Sequence, residues 1–326
     1  MLGKFLWRLA ALAVASAALG LSLSAQAETF PSRPIKIVVP YAPGGLPDTV
    51  ARLLADRLGQ PLGQPVVVEN RPGASGMVAT ATIMQAPPDG YTLMLTDGPL
   101  LAIGPYITRK FGYSMMKDFT PVALVGKAPL FLAVNAGVKA NTLDELIALA
   151  KAKPGELNYG SSGLGSIHQL TAEAMKVDLG LDIAHIPFKG SGASMPALIG
   201  GQVDMLFASP PALMGFVKSK QAKLIAINAA SRSDLAPDVP ALAERIPGFD
   251  FAFTVVVLAK AGTPPEVVER LSQEITKAVR LPNMVEPLRV AGVDPAPGGP
   301  KELAAAMKAE SERITKAAQI AGLKPE

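Results

Sequence analysis

Two glycine-rich loops carry the residues whose types and spacing could do chemistry. The first, "VVPYAPGGLPDTV", runs from an apolar strand-length stretch through Tyr41, Pro43, Gly44 and Gly45 into a helical pattern that opens at Asp48. Glycine lets the backbone turn with positive φ and approach a ligand closely, while the free N–H groups and dipole of a helix N-terminus favour an anion. The loop therefore suits a carboxylate or a phosphate. The bare alternative is a tight strand-to-helix turn with Asp48 as N-cap and nothing bound. Asp48 fits a cap better than a ligand contact, because its charge would repel an anion. The second loop, "LNYGSSGLGSIHQL", again joins a short strand to a helix, through Gly160, Gly163 and Gly165, and adds the hydroxyls of Ser161, Ser162 and Ser166. Ser166 is placed to cap a helix continuing through His168 to Leu179. One such loop in each of two domains would clamp the two ends of a small acid across a cleft, beyond the carboxyl ends of the strands.

Other residues divide between chemical and structural roles. Asp97 follows the strand-like "YTLML" and either caps the turn at Gly98-Pro99 or faces a ligand. In the second case it would repel a second carboxylate and favour a hydrogen-bond donor. His168 and His185 are the only histidines and lack metal-ligand spacing; His185 reads as a hydrogen-bonded strand residue and His168 as a pocket candidate. Lys189 reads as a solvated loop charge, Arg71 as a tie across a third glycine-rich turn, and Met115 and Met116 as loop packing. No G-x-S-x-G elbow, G-x-G-x-x-G fingerprint or phosphate-binding P-loop occurs, so neither a catalytic nor a cofactor motif is present. Ser166 and His168 are the nearest serine–histidine pair, but two residues apart on one helix they do not face each other.

The composition narrows the setting. Lys4 and Arg8 precede an apolar run from Leu9 to Leu23, and "AQA" at Ala25 to Ala27 has the small-x-small form of an export cleavage site. Cleavage after Ala27 is expected, leaving a soluble periplasmic chain that starts at Glu28. Removing Lys4 and Arg8 takes Lys+Arg from 31 to 29 against 27 Asp+Glu. No basic cluster interleaved with aromatics appears, so nucleic acid is not an expected partner. With Cys 0 there is no disulfide framework, thiolate nucleophile or Cys-type metal site.

The elements that must position these loops are strand-length apolar runs alternating with amphipathic helical stretches, the pattern of an α/β fold with mostly parallel sheets. "IKIVVP", "PVVVEN" and "YTLMLTD" form one series, and "LFLAVN", "LDIAHIPF", "QVDMLFA" and "KLIAIN" a second. Helices are expected over 48–58, 142–151, 166–179 and 210–218, and two more in "PPEVVERLSQEITKAVR" and "KELAAAMKAESERITKAAQI". The expected division is a signal peptide over 1–27, a first domain over 28–127, a second over 128–250, and a crossing strand with C-terminal helices returning to the first domain over 251–326.

The chain resembles the periplasmic solute-binding receptors of tripartite tricarboxylate transporters, often called Bug receptors. The resemblance spans the mature chain through "VVPYAPGGLPD", "VVVENRPGASG", "PPDGYTL", "KDFTPVALV", "LNYGSSGLGS", "HIPFKG", "GGQVDMLF" and "APDVPAL". It implies a two-domain Venus-flytrap receptor, a monomer without cofactor, that binds a small organic carboxylate and delivers it to membrane permease subunits. It also implies that the Pro43-Gly44-Gly45 loop and the Ser161 to Ser166 loop serve opposite ends of the ligand. A sensor for a membrane signalling protein remains an alternative use of the same site. Several positions depart from the family pattern: Leu46 and Pro47 stand where small hydroxyl residues are usual, and Ala208 where an acid follows "QVDxxF". Thr254 replaces a common aromatic, Gln169 a common His, and Asp97 a common Ser or Thr. These changes imply a pocket unlike that of a standard citrate receptor.

Overall fold

A computed structural model describes residues 30–73, 76–107, 113–114 and 117–324. The expected export segment and the Met115–Met116 pair lie outside the described residues.

Two sheets flanked by helices organise the chain. The first is built from β1 (Ile35–Val39), β2 (Val66–Asn70), β3 (Thr92–Asp97), β4 (Phe119–Ala128), β10 (Phe253–Lys260) and β11 (Asp294–Gly298), in the spatial order β11-β4-β10-β3-β1-β2. The second is built from β5 (Phe131–Asn135), β6 (Asn158–Ser161), β7 (Ala184–Pro187), β8 (Met205–Ala208) and β9 (Ala222–Ile227), in the order β7-β6-β8-β5-β9. The α/β class is as the sequence predicts; the expectation of mostly parallel sheets is corrected. Strands β1, β2 and β3 run parallel, as do β6, β7 and β8, because helical crossovers return the chain to the same edge direction. Strand β10 is antiparallel to both β3 and β4, β11 to β4, and β5 to both β8 and β9. The reversal has a topological cause: β4 leads out of the first sheet and β10 leads back into it, so the two meet head to tail.

Burial follows the strand period. In β5, Leu132 and Val134 join a cluster with Tyr159, Met205 and Phe207, while Phe131 and Ala133 join one with Leu198, Leu206 and Ile227 on the other face. Strand β1 is a continuous apolar run because both its faces are covered, and Ile35, Ile37, Val38 and Val39 are all buried.

Helices α1 (Leu46–Leu62), α2 (Met77–Gln85) and α3 (Gly98–Ile107) follow β1, β2 and β3. Helices α4 (Leu143–Ala152), α5 (Ile167–Leu179), α6 (Ser191–Ile199) and α7 (Pro210–Lys218) follow β5 to β8, and α8 (Pro265–Val279), α9 (Pro282–Val290) and α10 (Pro300–Ile320) complete the chain. Helix α10 packs on α3, β4 and β10 of the first sheet and on α5 of the second; Leu303, Met307 and Ile314 share a buried cluster with Leu170. Among the described residues no helix is long and apolar enough to cross a membrane.

Candidate functional site

The β1–α1 loop is built around Asp48, though not as expected. Helix α1 begins two residues earlier than the sequence suggests, with Gly45 as N-cap and Pro47 in the first turn, where a missing N–H costs nothing. Asp48 is therefore a first-turn residue. It is 2 % exposed, and its Oδ2 accepts from Gly44 N at 2.9 Å and Arg52 Nε at 3.1 Å, while Oδ1 accepts from Asn70 Nδ2 at 2.8 Å. Burial works against its ionisation, but the bonds from Arg52, Gly44 and Asn70 outweigh it and hold the pKa below the usual aspartate value. Gly44 sits at φ +89°, in the region glycine favours. Asp48 thus folds the loop from behind.

Asp97 closes the end of β3. Its Oδ1 accepts from Leu100 N at 2.9 Å, which caps α3, and its Oδ2 accepts from the hydroxyl of Tyr41. Burial pushes the Asp97 pKa up, and the bonds from Tyr41 and Leu100 act against that rise. Burial and then the neighbouring Asp97 charge push the Tyr41 phenol well above its usual value, so it remains a donor. Behind them, the buried Glu310 of α10 accepts from Thr254 N at 3.2 Å and from the Thr254 hydroxyl, and burial raises its pKa to about 7.

In the β6–α5 loop Ser166 is the N-cap of α5, its Oγ accepting from Gln169 N at 3.3 Å and donating to Gly163 O at 2.7 Å. Gly163 and Gly165 adopt positive φ, and Gly165 N donates to Gln169 Oε1 at 2.7 Å. Ser162 Oγ lies 2.8 Å from His168 Nδ1, and Ser161 Oγ lies 2.7 Å from His185 Nε2. His185 is indeed a hydrogen-bonded strand residue, and its ring stacks on Tyr159 at 4.7 Å. Burial lowers the His168 pKa to about 4, leaving the ring neutral. A serine–histidine pair becomes hydrolytic when an acid orients the imidazole from its other side; among the described residues no carboxylate is hydrogen-bonded to either ring.

These loops enclose a cavity of about 540 Å³. Of the sequence candidates, Tyr41, Gly45, Asp97, Ser162, Ser166 and His168 line it. Pro43, Gly44, Asp48, Ser161 and Gly163 do not; Asp48 and Ser161 are buried supports of the two loops. Ala208 is not a wall residue either: it is buried with Phe131 and Leu206, and the next residue, Ser209, lines the cavity instead. Alternation along β8 explains the shift, since neighbouring positions face opposite ways. Lys189 is exposed and off the wall, and Arg71 pairs with Glu69. The sequence reading did not assign Leu100, Ile103, Leu130, Ser191 and Phe253 to the cavity. Phe253 adjoins Thr254, the position noted as lacking an aromatic, and "KGS" before α6 is a further glycine loop opening a helix.

Comparison with known proteins places this geometry. The family pattern described as "Tripartite tricarboxylate transporter family receptor" matches residues 50–323. The protein BugT of Bordetella pertussis is 36% identical over 296 residues, covering 90% of this chain and 91% of BugT. Among solved structures, an R. palustris protein with adipate superposes with TM-score 0.79 at 32% identity, covering 91% of this chain and 100% of that one. MatC of Rhodopseudomonas palustris with bound malate gives TM-score 0.71 at 29% identity, covering 90% and 100%. The periplasmic binding protein BugD gives TM-score 0.74 at 28% identity, covering 91% and 100%.

Proposed function

This chain belongs to the tripartite tricarboxylate transporter family receptors, solute-binding proteins rather than enzymes, and we propose that it captures a small organic carboxylate in the cavity between its two sheets and hands it to the permease subunits of a tripartite transporter. The observation that carries the reading is the cavity itself. Its volume suits a small ligand, and its wall is drawn from the ends of β1 and β3 on one side and β6 and β8 on the other. The solved relatives holding adipate and malate support the ligand class.

In this reading the two domains divide at 127/128 and again at 250/251, close to where β4 ends and just before β10 begins. Closure of one on the other would wrap a ligand held between them. The mature protein acts as a periplasmic monomer beginning at Glu28, and the intact mass of the exported species checks that N-terminus.

Titration calorimetry of the mature protein against mono-, di- and tricarboxylates, aromatic acids included, tests the receptor reading. At least one acid binds with a 1:1 stoichiometry; no heat from any of them would sink it. Uptake of that acid falls in a deletion strain and returns with the gene, whereas a sensor would restore induction of other genes without restoring uptake.

A further inference from the structure

The charge inventory of the cavity is one-sided. Among the described residues no Lys or Arg lines it, and Asp97 is the single wall residue of formal charge. On the side of the first sheet a carboxylate already stands at each helix start: Asp48 in the first turn of α1, accepting from the loop amide of Gly44, and Asp97 before α3, accepting from Leu100 N. Pro47, in the first turn of α1, has no N–H to offer. On the side of the second sheet α5, α6 and α7 have Ser166, Gly190 and Ser209 as N-caps, all uncharged and all on the wall; α7 opens on Pro210 and Pro211, so it brings its dipole and the Ser209 hydroxyl but no N–H from its first two positions. The hydroxyls of Ser191 and Ser209 make no hydrogen bond among the described residues, so two donors stand free beside those helix ends. Between the two sides the wall is apolar, formed by Leu46, Pro47, Leu100, Ile103, Leu130 and Phe253.

An anion entering this cavity meets positive helix ends on one side and a carboxylate on the other. We infer that the site selects an acid with a single carboxylate, an apolar body and a far group that donates a hydrogen bond, with the carboxylate toward α5, α6 and α7 and the donor on Asp97. This rests on the receptor reading above and deepens it. Each Asp97 oxygen accepts one bond from Tyr41 or Leu100 and keeps a lone pair for an ammonium, an amide N–H or a hydroxyl. A second carboxylate at the same place would meet a like charge with no cation to offset it, which discriminates by repulsion as well as by attraction.

Two matched series test the assignment by calorimetry at pH 7.5, each differing only at the far group: hexanoate, 6-aminohexanoate and adipate; benzoate, 4-aminobenzoate and terephthalate. In at least one series the amino member binds tenfold or more tighter than the dicarboxylate. Asp97→Asn and Asp97→Ser, both checked for folding by thermal unfolding, shrink that gap to about threefold or less. Ser191→Ala with Ser209→Ala weakens every member that binds by a similar factor, because the carboxylate is common to all. A dicarboxylate that binds as tightly as its amino partner overturns the inference and leaves the receptor reading standing. So does an Asp97 variant that weakens all members equally. Failure of both series while malate binds overturns the inference alone; failure of every acid, malate included, removes the receptor reading with it.

Discussion

The hydroxyl of Tyr41, just beyond β1, donates to Oδ2 of Asp97 at the end of β3, joining two neighbouring parallel strands at the rim of the cavity. The bond has a charged acceptor and is partly shielded from water, conditions under which removing the donor costs about 1.5–3 kcal/mol. Tyr41→Phe therefore lowers the stability measured by urea unfolding by about that amount. In combination with Asp97→Asn the loss is smaller than the sum of the two single losses, since an amide tolerates the missing donor better than a carboxylate does. Additive losses would show that the two residues are not coupled.

The loops were legible because their glycines do work that no other residue does as cheaply. Gly44, Gly163 and Gly165 all take positive φ, and helix-opening residues follow close behind. Strand direction was not legible, since an apolar run such as "FTVVVLAK" announces a strand without naming its neighbours. Its antiparallel place between β3 and β4 depends on pairings with residues more than a hundred positions away. Strand β11 escaped notice for a local reason: "DPAPG" is rich in proline, which sheets accept at an edge, and β11 is an edge strand. The cavity wall was half legible. Glycine and serine patterns pointed to two of its loops, but Leu130, Phe253 and Ser209 join it only through the packing of one sheet against the other.

Glu310 makes stability depend on pH in an unusual sense for a carboxyl group. Burial raises its pKa from 4.5 to about 7. The folded state then holds the proton more tightly than the unfolded state, so its favourable contribution is complete below about pH 4.5 and is lost as pH rises through about 7. The shift corresponds to about 3 kcal/mol. Glu310→Gln, which keeps the shape without the titration, should gain on the native protein by up to that amount between pH 5 and 8. Urea midpoints at several pH values check this; a constant difference across the range would place the Glu310 pKa back near its ordinary value.

His168 works in the opposite direction. Burial lowers its pKa to about 4, so between about 4 and 6.5 the unfolded chain binds the extra proton and the folded chain does not. Its contribution is present above about pH 6.5 and is lost as the pH falls toward 4. The full shift would correspond to about 3 kcal/mol, reduced by whatever water reaches the ring at the cavity wall. His168→Gln removes this acid-side loss while leaving the Glu310 slope in place. Stability profiles of the two single variants should therefore rise above the native curve at opposite ends of the pH range, Glu310→Gln toward pH 8 and His168→Gln toward pH 4, and a His168→Gln profile parallel to the native one would contradict the assignment.

Gly98 is the point where the cavity wall meets Glu310. A Cβ added there would lie 1.9 Å from Glu310 Oε2 and 2.6 Å from Thr254 Oγ1, so neither side chain could keep its place. The Glu310 carboxyl is the end of a flexible chain, but it is buried and bonded twice to Thr254, so it cannot swing aside without breaking those bonds. Gly98→Ala is expected to cost about 1–3 kcal/mol, the range for overfilling a packed interior. It also displaces Asp97 and Pro99, both on the cavity wall, so affinity for any bound acid falls with it. Glu310→Ala removes the obstructing carboxyl and is destabilising alone, because it leaves Thr254 without its acceptor. Combined with Gly98→Ala it should recover part of the lost stability and part of the lost affinity, giving a coupling of about 1 kcal/mol or more in the double-mutant cycle. If the two losses simply add in unfolding and in binding alike, Glu310 is not what constrains residue 98.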